Sequence, residues 1–377
     1  MRGAKRTILA HLFRSGVSAV KGDAAVQGWL KGAAMSRPTH ILAVGKAAVS
    51  MFEGLPHEWR AFTPSLIVTK SDHIGNPDLG RNVVALEASH PIPDNTSLIA
   101  GKRVLDFVES CGSDSRLLML VSGGASSLVE HLREGVDYAQ LVDATMSALG
   151  EGADIAEINH RRKNLSAVKG GKLLSSFMGK QVRVLAISDV SGDGIDVIGS
   201  GLGACPDSPD FDYSVQIIAS NVVAREAVVR DAQGRGLTVV VNQETMYADV
   251  ADVAAQIAQD VRDGPCGLYL YGGEPTVILP KNPGQGGRNQ ALALELARHF
   301  RNRSDVSGLV AGTDGTDGPT DAAGAFLDGD TFDLEPGADE ALTRANSACY
   351  LARTGDQIIT GPTGTNVMDL AILIKHK

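Results

Sequence analysis

No stretch of the 377 residues approaches the roughly 18 unbroken apolar positions that a membrane helix needs. The amino-terminal MRGAKRTILAHLFRSGVSAVKG begins basic, as a secretory leader does, but His11 and Arg14 interrupt its apolar run. Ile8, Leu9, Leu12, Phe13 and Val17 instead fit one face of an amphipathic helix. The chain therefore reads as soluble and cytoplasmic. A basic excess is also missing: the formal charge is −9, which argues against a nucleic-acid binder. Cys111, Cys205, Cys266 and Cys349 form no CxxC pair, so neither a zinc knot nor a disulfide framework is indicated. Three nucleotide and hydrolase signatures are absent as well: G-x-G-x-x-G after the first strand, G-x-x-x-x-G-K-[ST], and G-x-S-x-G. A nicotinamide site thus has little direct support, and there is no obvious internal repeat.

What is present is glycine, 43 residues against a usual share of roughly 7%. It punctuates short apolar runs. Strands are expected at 41–44, 66–69, 117–121, 184–187, 215–220, 237–241, 268–271, 309–311 and 358–360. Helical periodicity marks 97–110, 137–149, 154–168, 221–233, 249–262 and 289–300. Strands alternating with helices imply an α/β fold with a largely parallel sheet and helices on both faces. Ligands of such sheets sit beyond the carboxyl ends of the strands, where the glycine turns fall. The length suggests two domains. The Pro- and Asp-rich CPDSPDFDY at 205–213 is the best boundary, giving domains 1–210 and 211–377. Residues 327–337 read as an irregular acidic connector.

The turns carry the chemistry. Lys46 directly follows the first strand, where an ammonium can neutralise a phosphoryl group or a carboxylate. Ser122-Gly123-Gly124-Ala125-Ser126-Ser127 offers amides and hydroxyls to a small anion. Asp189 and Asp193 follow another strand; one can accept a hydroxyl proton, or both can bind a divalent metal. Asn159 to Lys163 with Lys169 and Lys172 form a basic patch whose field would attract anionic substrates, with Lys163 and Lys172 read mainly as a solvated face. Arg288 opens a helix after Gly284, Gly286 and Gly287, a setting suited to bidentate phosphate binding. Gly272, Gly273 and Glu274 form the turn before it. Thr313, Asp314 and Asp317 lie in GTDGTDG, which mimics a calcium loop but lacks its closing glutamate. Clustered carboxylates beside phosphate-binding amides suggest a nucleotide and Mg²⁺. The turn GPTGTN at 361–366 touches substrate or caps a helix holding Asp369.

Taken together, GKAAVSM at 45–51, ASHPIPDNTS at 88–97, SGGASSL at 122–128, ADIAEINHRRKNLSAVKGGKL at 153–173 and ISDVSGDGIDVIGSG at 187–201 resemble the glycerate 2-kinase (class II glycerate kinase) family. GGEPTV at 272–277, GGRNQALAL at 286–294, AGTDGTDGPTDAAGA at 311–325 and GPTGTNVMDL at 361–370 continue the likeness in the same order. That family also carries the name hydroxypyruvate reductase. The resemblance implies a Rossmann-like parallel sheet in the N-terminal domain, a smaller α/β C-terminal domain and an interdomain cleft. It implies ATP- and Mg²⁺-dependent phosphorylation of (R)-glycerate at the 2-hydroxyl. Lys46, Arg288 and Asp189 are then the catalytic candidates, and Ser122, Gly123, Gly124 and Ser126 the substrate-binding ones. Gly272, Gly273, Glu274, Gly286, Gly287 and Thr313 are assigned to the nucleotide, and Asp193, Asp314 and Asp317 to the metal. The partners are glycerate and ATP, with no nucleic acid and no membrane, and the assembly is left open between a monomer and a homodimer. The alternatives are a nicotinamide-dependent hydroxypyruvate reductase and an inactive small-hydroxy-acid-binding protein. One departure stands out: the family usually follows Ser-Gly with Pro-Thr, whereas Gly201 is followed here by LGACPD.

Overall fold

A computed structural model describes residues 2–33, 35–75, 79–143 and 163–377. Most of the helix expected at 154–168, the end of that at 137–149, and Asn159, His160, Arg161 and Arg162 lie outside the described residues. The chain divides into two compact units, Lys21–Ala219 and Met1–Val20 with Ser220–Lys377.

The first unit is built on six parallel strands, β1 (His40–Val44), β2 (Ser65–Lys70), β3 (Val83–Ala88), β4 (Arg116–Val121), β5 (Gln181–Ile187) and β6 (Asp212–Ala219). Their order is β3-β2-β1-β4-β5-β6, that of a dinucleotide-type doubly wound sheet. The central strands β1 and β4 read ILAV and LLMLV and are buried on both faces, as a parallel sheet covered by helices requires. Helix Asn95–Glu109 covers one face. Its start is a capping box, in which Asp94 accepts from the Thr96 and Ser97 amides and Ser97 Oγ accepts from the Asp94 amide. Ala100, Val104 and Val108 follow at helical spacing and enter the core with Met119 and Val184. The atypical LGA after Gly201 forms a turn that buries Leu202 in the same core.

The second unit has β7 (Val239–Met246), β8 (Gly267–Gly273), β9 (Val306–Gly312), β10 (Gly324–Asp328), β11 (Gln357–Ile358) and β12 (Asp369–Lys375). The order is β11-β10-β9-β12-β8-β7, and only β7 and β8 pair in parallel. The parallel expectation thus holds for the first sheet and not for the second. The difference comes from β12, an apolar DLAILIK that follows GPTGTN and runs back between β8 and β9. Asp369 accordingly opens a strand, not a helix. Residues 327–328 end β10, so the acidic stretch beyond them is a connector only in part. Helix Arg288–His299 is buried from Asn289 to Ala297, nearly all round, which marks it as a core helix.

The division differs from the expected one at both ends. Strand β6 completes the first sheet by pairing with β5, which moves the junction from 210 to 219. Helix Arg2–Ala19 joins the second unit, because its apolar face meets helix Asn221–Gly234. An added Cβ on Gly16 would stand 2.9 Å from Val228 Cγ2. Its polar face is tied down too: Arg2 pairs with Asp328 at 2.6 Å, and both Arg2 and Arg6 bond the buried Asp356.

Candidate active site

In the first unit, Lys46, the SGGASS turn and Asp189 follow β1, β4 and β5, three neighbouring strands, at their carboxyl ends. The chain reverses its direction of travel across the sheet between β1 and β4, which is where ligands of this fold bind. The loops there are bonded to each other. Lys46 N donates to Gly123 O (2.9 Å), and Ala47 N donates to Ser122 Oγ (3.0 Å). Ser122 is fully buried, so its hydroxyl holds the lysine turn in place. Gly124 has φ +85° and starts the short helix Ala125–Leu128. An added Cβ there would meet Lys46 Cγ at 3.2 Å and His90 Cδ2 at 3.2 Å. Glycine is therefore required twice, for the left-handed backbone and for the close approach of two side chains. Ser126 Oγ lies 2.7 Å from Ser200 Oγ, which ties the turn to the segment after β5. Asp189 is half-buried beside Ser188, whose hydroxyl bonds the Val190 carbonyl at 3.2 Å. Asp193 has φ +54° in a one-turn helix, Ser191–Asp193. Of the basic patch, Lys169 pairs with Glu130 in the core, and Lys172 donates to the Lys163 and Ser166 carbonyls. Lys169 is fully buried, whereas Lys172 stays partly exposed.

In the second unit, Arg288 sits between two carboxylates. Its Nε donates to Asp369 Oδ2 (2.5 Å), and its Nη1 lies 2.6 Å from Glu274 Oε1. Asp369 is 1% exposed as a residue, whereas the Glu274 side chain is 47% exposed. Burial works against the guanidinium charge, but Asp369 and Glu274 outweigh it and hold the arginine pKa above its ordinary value. The start of the helix has no local side-chain cap. A remote one is supplied by Asp317, which accepts from Asn289 N (3.0 Å), Gln290 N (2.9 Å) and Gln290 Nε2 (3.0 Å). These bonds satisfy two of the orphan amides of the first turn. Burial pushes the Asp317 carboxyl up to about 6, against the pull of those donors.

Several assigned residues serve the scaffold. Gly272 has no room for a side chain: an added Cβ would lie 1.8 Å from Asn221 Oδ1. Gly287 likewise faces Asp317 Oδ1, at 2.2 Å from an added Cβ. Gly273 and Gly286 pack against Met246 and Ser347 in the same way. Thr313 is fully buried; its Oγ1 donates to Met368 O (2.6 Å) and accepts from Val367 N (2.9 Å). Asp314 Oδ1 accepts from Thr316 N and Oγ1. Of the three metal candidates, Asp193 belongs to the first unit and Asp314 and Asp317 to the second. Both oxygens of Asp317 are occupied by the helix start, so Asp317 does not suit a metal ligand. Among the described residues, no group of three or more His, Cys, Asp or Glu side chains is arranged to hold a metal. Residue type alone gives His90 no role, although it lies in ASHPIPDNTS. The signal that finds it is spatial, its ring beside Gly124, 3.2 Å from where a Cβ would stand. The sequence likewise gives Asp369 no chemistry.

A family model described as a domain of unknown function (DUF4147) matches residues 8–232, and the MOFRL family model matches 267–369. The D-glycerate 2-kinase of Thermotoga maritima is 33% identical, with 97% of each chain covered. The glycerate 2-kinase of Pyrococcus horikoshii is 33% identical over 89% of this chain and 87% of its own. A putative hydroxypyruvate reductase of Agrobacterium vitis is also 33% identical, over 89% of this chain and 98% of its own. The crystal structure of glycerate kinase from Thermotoga maritima superposes with a TM-score of 0.83 at 32% identity, covering 100% of both chains.

Proposed function

The chain belongs to the glycerate 2-kinase family, and on that premise we propose that it transfers the γ-phosphoryl group of ATP to the 2-hydroxyl of (R)-glycerate. The bond from the γ-phosphorus to the 2-oxygen forms, the bond to the bridging oxygen breaks, and 2-phosphoglycerate and ADP result. The observation that most supports this reading is the bonded pair of loops after β1 and β4, with Lys46 and the left-handed backbone of Gly124 at the reversal point of the sheet.

Phosphoryl transfer is mainly positioning and charge stabilisation. Glycerate's carboxylate is assigned to the Gly123-Gly124-Ala125-Ser126 amides, where a short strand-to-helix turn presents N–H groups. Lys46 and Arg288 are the cations assigned to the phosphoryl oxygens. Asp189 orients the 2-hydroxyl and takes its proton. Mg²⁺, travelling with ATP, would neutralise phosphate charge, and Asp193 and Asp314 are the carboxylates of the expected set that suit its preference for oxygen. The cytoplasm is the proposed compartment, and whether the chain pairs with a second copy is left to measurement; among the described residues no helix is long and apolar enough to cross a membrane.

Coupling the reaction to enolase with no mutase present tests the reading, since enolase accepts only the 2-phosphate. ATP- and glycerate-dependent signal is expected. ATP consumption without that signal moves the phosphate to another hydroxyl. NADH oxidation with hydroxypyruvate in its place supports the reductase reading, the name that one relative carries. Thermal stabilisation by glycerate with no turnover at all marks a binding protein. Light scattering reads the assembly against the 39.4 kDa chain mass.

A further inference from the structure

Helix Asn221–Gly234 begins with a residue whose side chain turns inward. Asn221 is 1% exposed, and its amide is fully used. Nδ2 donates to two carbonyls, Val367 O at 2.9 Å and Asp369 O at 3.1 Å. Oδ1 accepts from Arg225 Nε at 2.8 Å. Arg225 is itself held by Asn242 Oδ1 (2.5 Å) and Glu244 Oε2 (3.1 Å), and Tyr247 donates to Glu244 Oε1 (2.6 Å). The guanidinium can only donate, so it fixes which end of the Asn221 amide is oxygen. The nitrogen must then face the two carbonyls. Gly272 completes the seat by leaving out the Cβ that would collide with Asn221 Oδ1.

The two carbonyls flank the point where β12 begins. Asp369 is the first residue of that strand to pair with Gly273 and Gly312, while Met368 before it has φ +65°. The ladder therefore stops at Asp369, and Asn221 takes over the backbone there. The same Asp369 carries the carboxylate that meets Arg288 Nε.

We propose that Asn221 is a positioning residue for Arg288. It holds the backbone of Val367 and Asp369, Asp369 aims the guanidinium, and Arg225 keeps the asparagine in the one orientation that works. This role rests on Arg288 acting in phosphoryl transfer. No other side chain combines a two-hydrogen donor with an acceptor at this length, since aspartate lacks the donor, leucine lacks both and glutamine is one carbon too long. Misplacing a reacting group by an ångström lowers rates by about 10²-fold.

The test compares kcat and KM for glycerate in four proteins: wild type, Asn221→Asp, Arg288→Ala and the double variant. Asn221→Asp keeps the shape and the acceptor for Arg225 but loses both donated bonds. It is preferred to Asn221→Ala because it leaves no void. The expected result is a kcat lowered about 10- to 100-fold by Asn221→Asp with KM within about threefold of wild type. In the Arg288→Ala background the same substitution lowers kcat less than about twofold, because the group it positions is gone. A merely structural asparagine predicts the same factor in both backgrounds, and that result overturns the proposal. So does wild-type kcat in a folded Asn221→Asp. Failure of the kinase reading is distinct: it appears in the wild-type arm as no glycerate phosphorylation, and it removes this role as well.

Discussion

Asp369 Oδ2 lies 2.5 Å from Arg288 Nε, with the carboxylate buried and the guanidinium about one-third exposed. One end of the arginine is therefore fixed and the other faces solvent and Glu274. Replacing Asp369 by Asn keeps the shape but removes the charge that orients the fork. The expected outcome is a kcat lowered at least about 10-fold, with a smaller change in KM for glycerate, read by steady-state kinetics.

Glu274 is the exposed partner, and exposed ion pairs are worth about 0.2–1 kcal/mol. An arriving phosphate can displace it at that small cost. Glu274→Gln removes the competitor, so the KM for ATP should fall by about 1.4- to 5-fold. A rise in KM instead would identify Glu274 as a ligand of the nucleotide or of its metal.

Gly124→Ala tests the close approach in the first unit. The added carbon would stand 3.2 Å from both Lys46 and His90 on a backbone with φ +85°. The left-handed conformation alone costs an alanine roughly 1–2 kcal/mol. A loss of that size in denaturant titration should accompany a fall in turnover of at least about 10-fold. Full activity would remove the SGGASS turn from the substrate site.

Asp317 sets a pH dependence. Its folded-state pKa of about 6 lies above the ordinary 3.8, so the folded chain holds that proton more tightly than the unfolded one. The associated stability is present below about pH 4 and is lost as pH rises through 6. The change amounts to about 3 kcal/mol, from two units at 1.36 kcal/mol each. Unfolding titrations at pH 4.5 and 6.5 should differ less in Asp317→Asn than in wild type. An identical pH response in the two proteins would mean that Asp317 titrates in its ordinary range.

The sequence made the first unit legible because each strand of a buried parallel sheet announces itself as an apolar run. ILAV and LLMLV are read directly. VVALEA of β3, an edge strand with half its residues partly exposed, is not. The second unit is harder. Nothing local says that DLAILIK runs back between two distant strands, and the preceding GPTGTN suggests a helix instead. Lys46 and Arg288 stand where the sequence places them, a cation just after a strand and a cation at a helix start. The carboxylates of GTDGTDG read as a cluster in the sequence, which does not show their partners. Asp317 reads the same as Asp314 in GTDGTDG, and only the fold assigns one of them to the Asn289 and Gln290 amides. Asn221 reads simply as a helix cap, because its bonds reach residues about 150 positions away.

The helix Arg2–Ala19 and residues 220–377 form one unit although some two hundred residues separate them. Val20 O accepts from Thr365 Oγ1 (2.6 Å), and Asn221 bonds Val367 and Asp369, so both chain crossings are anchored on the same five residues. Topologically, residues 21–219 are an insert. They can be produced as one uninterrupted gene fragment, whereas their companion needs a splice that joins Val20 to Ser220.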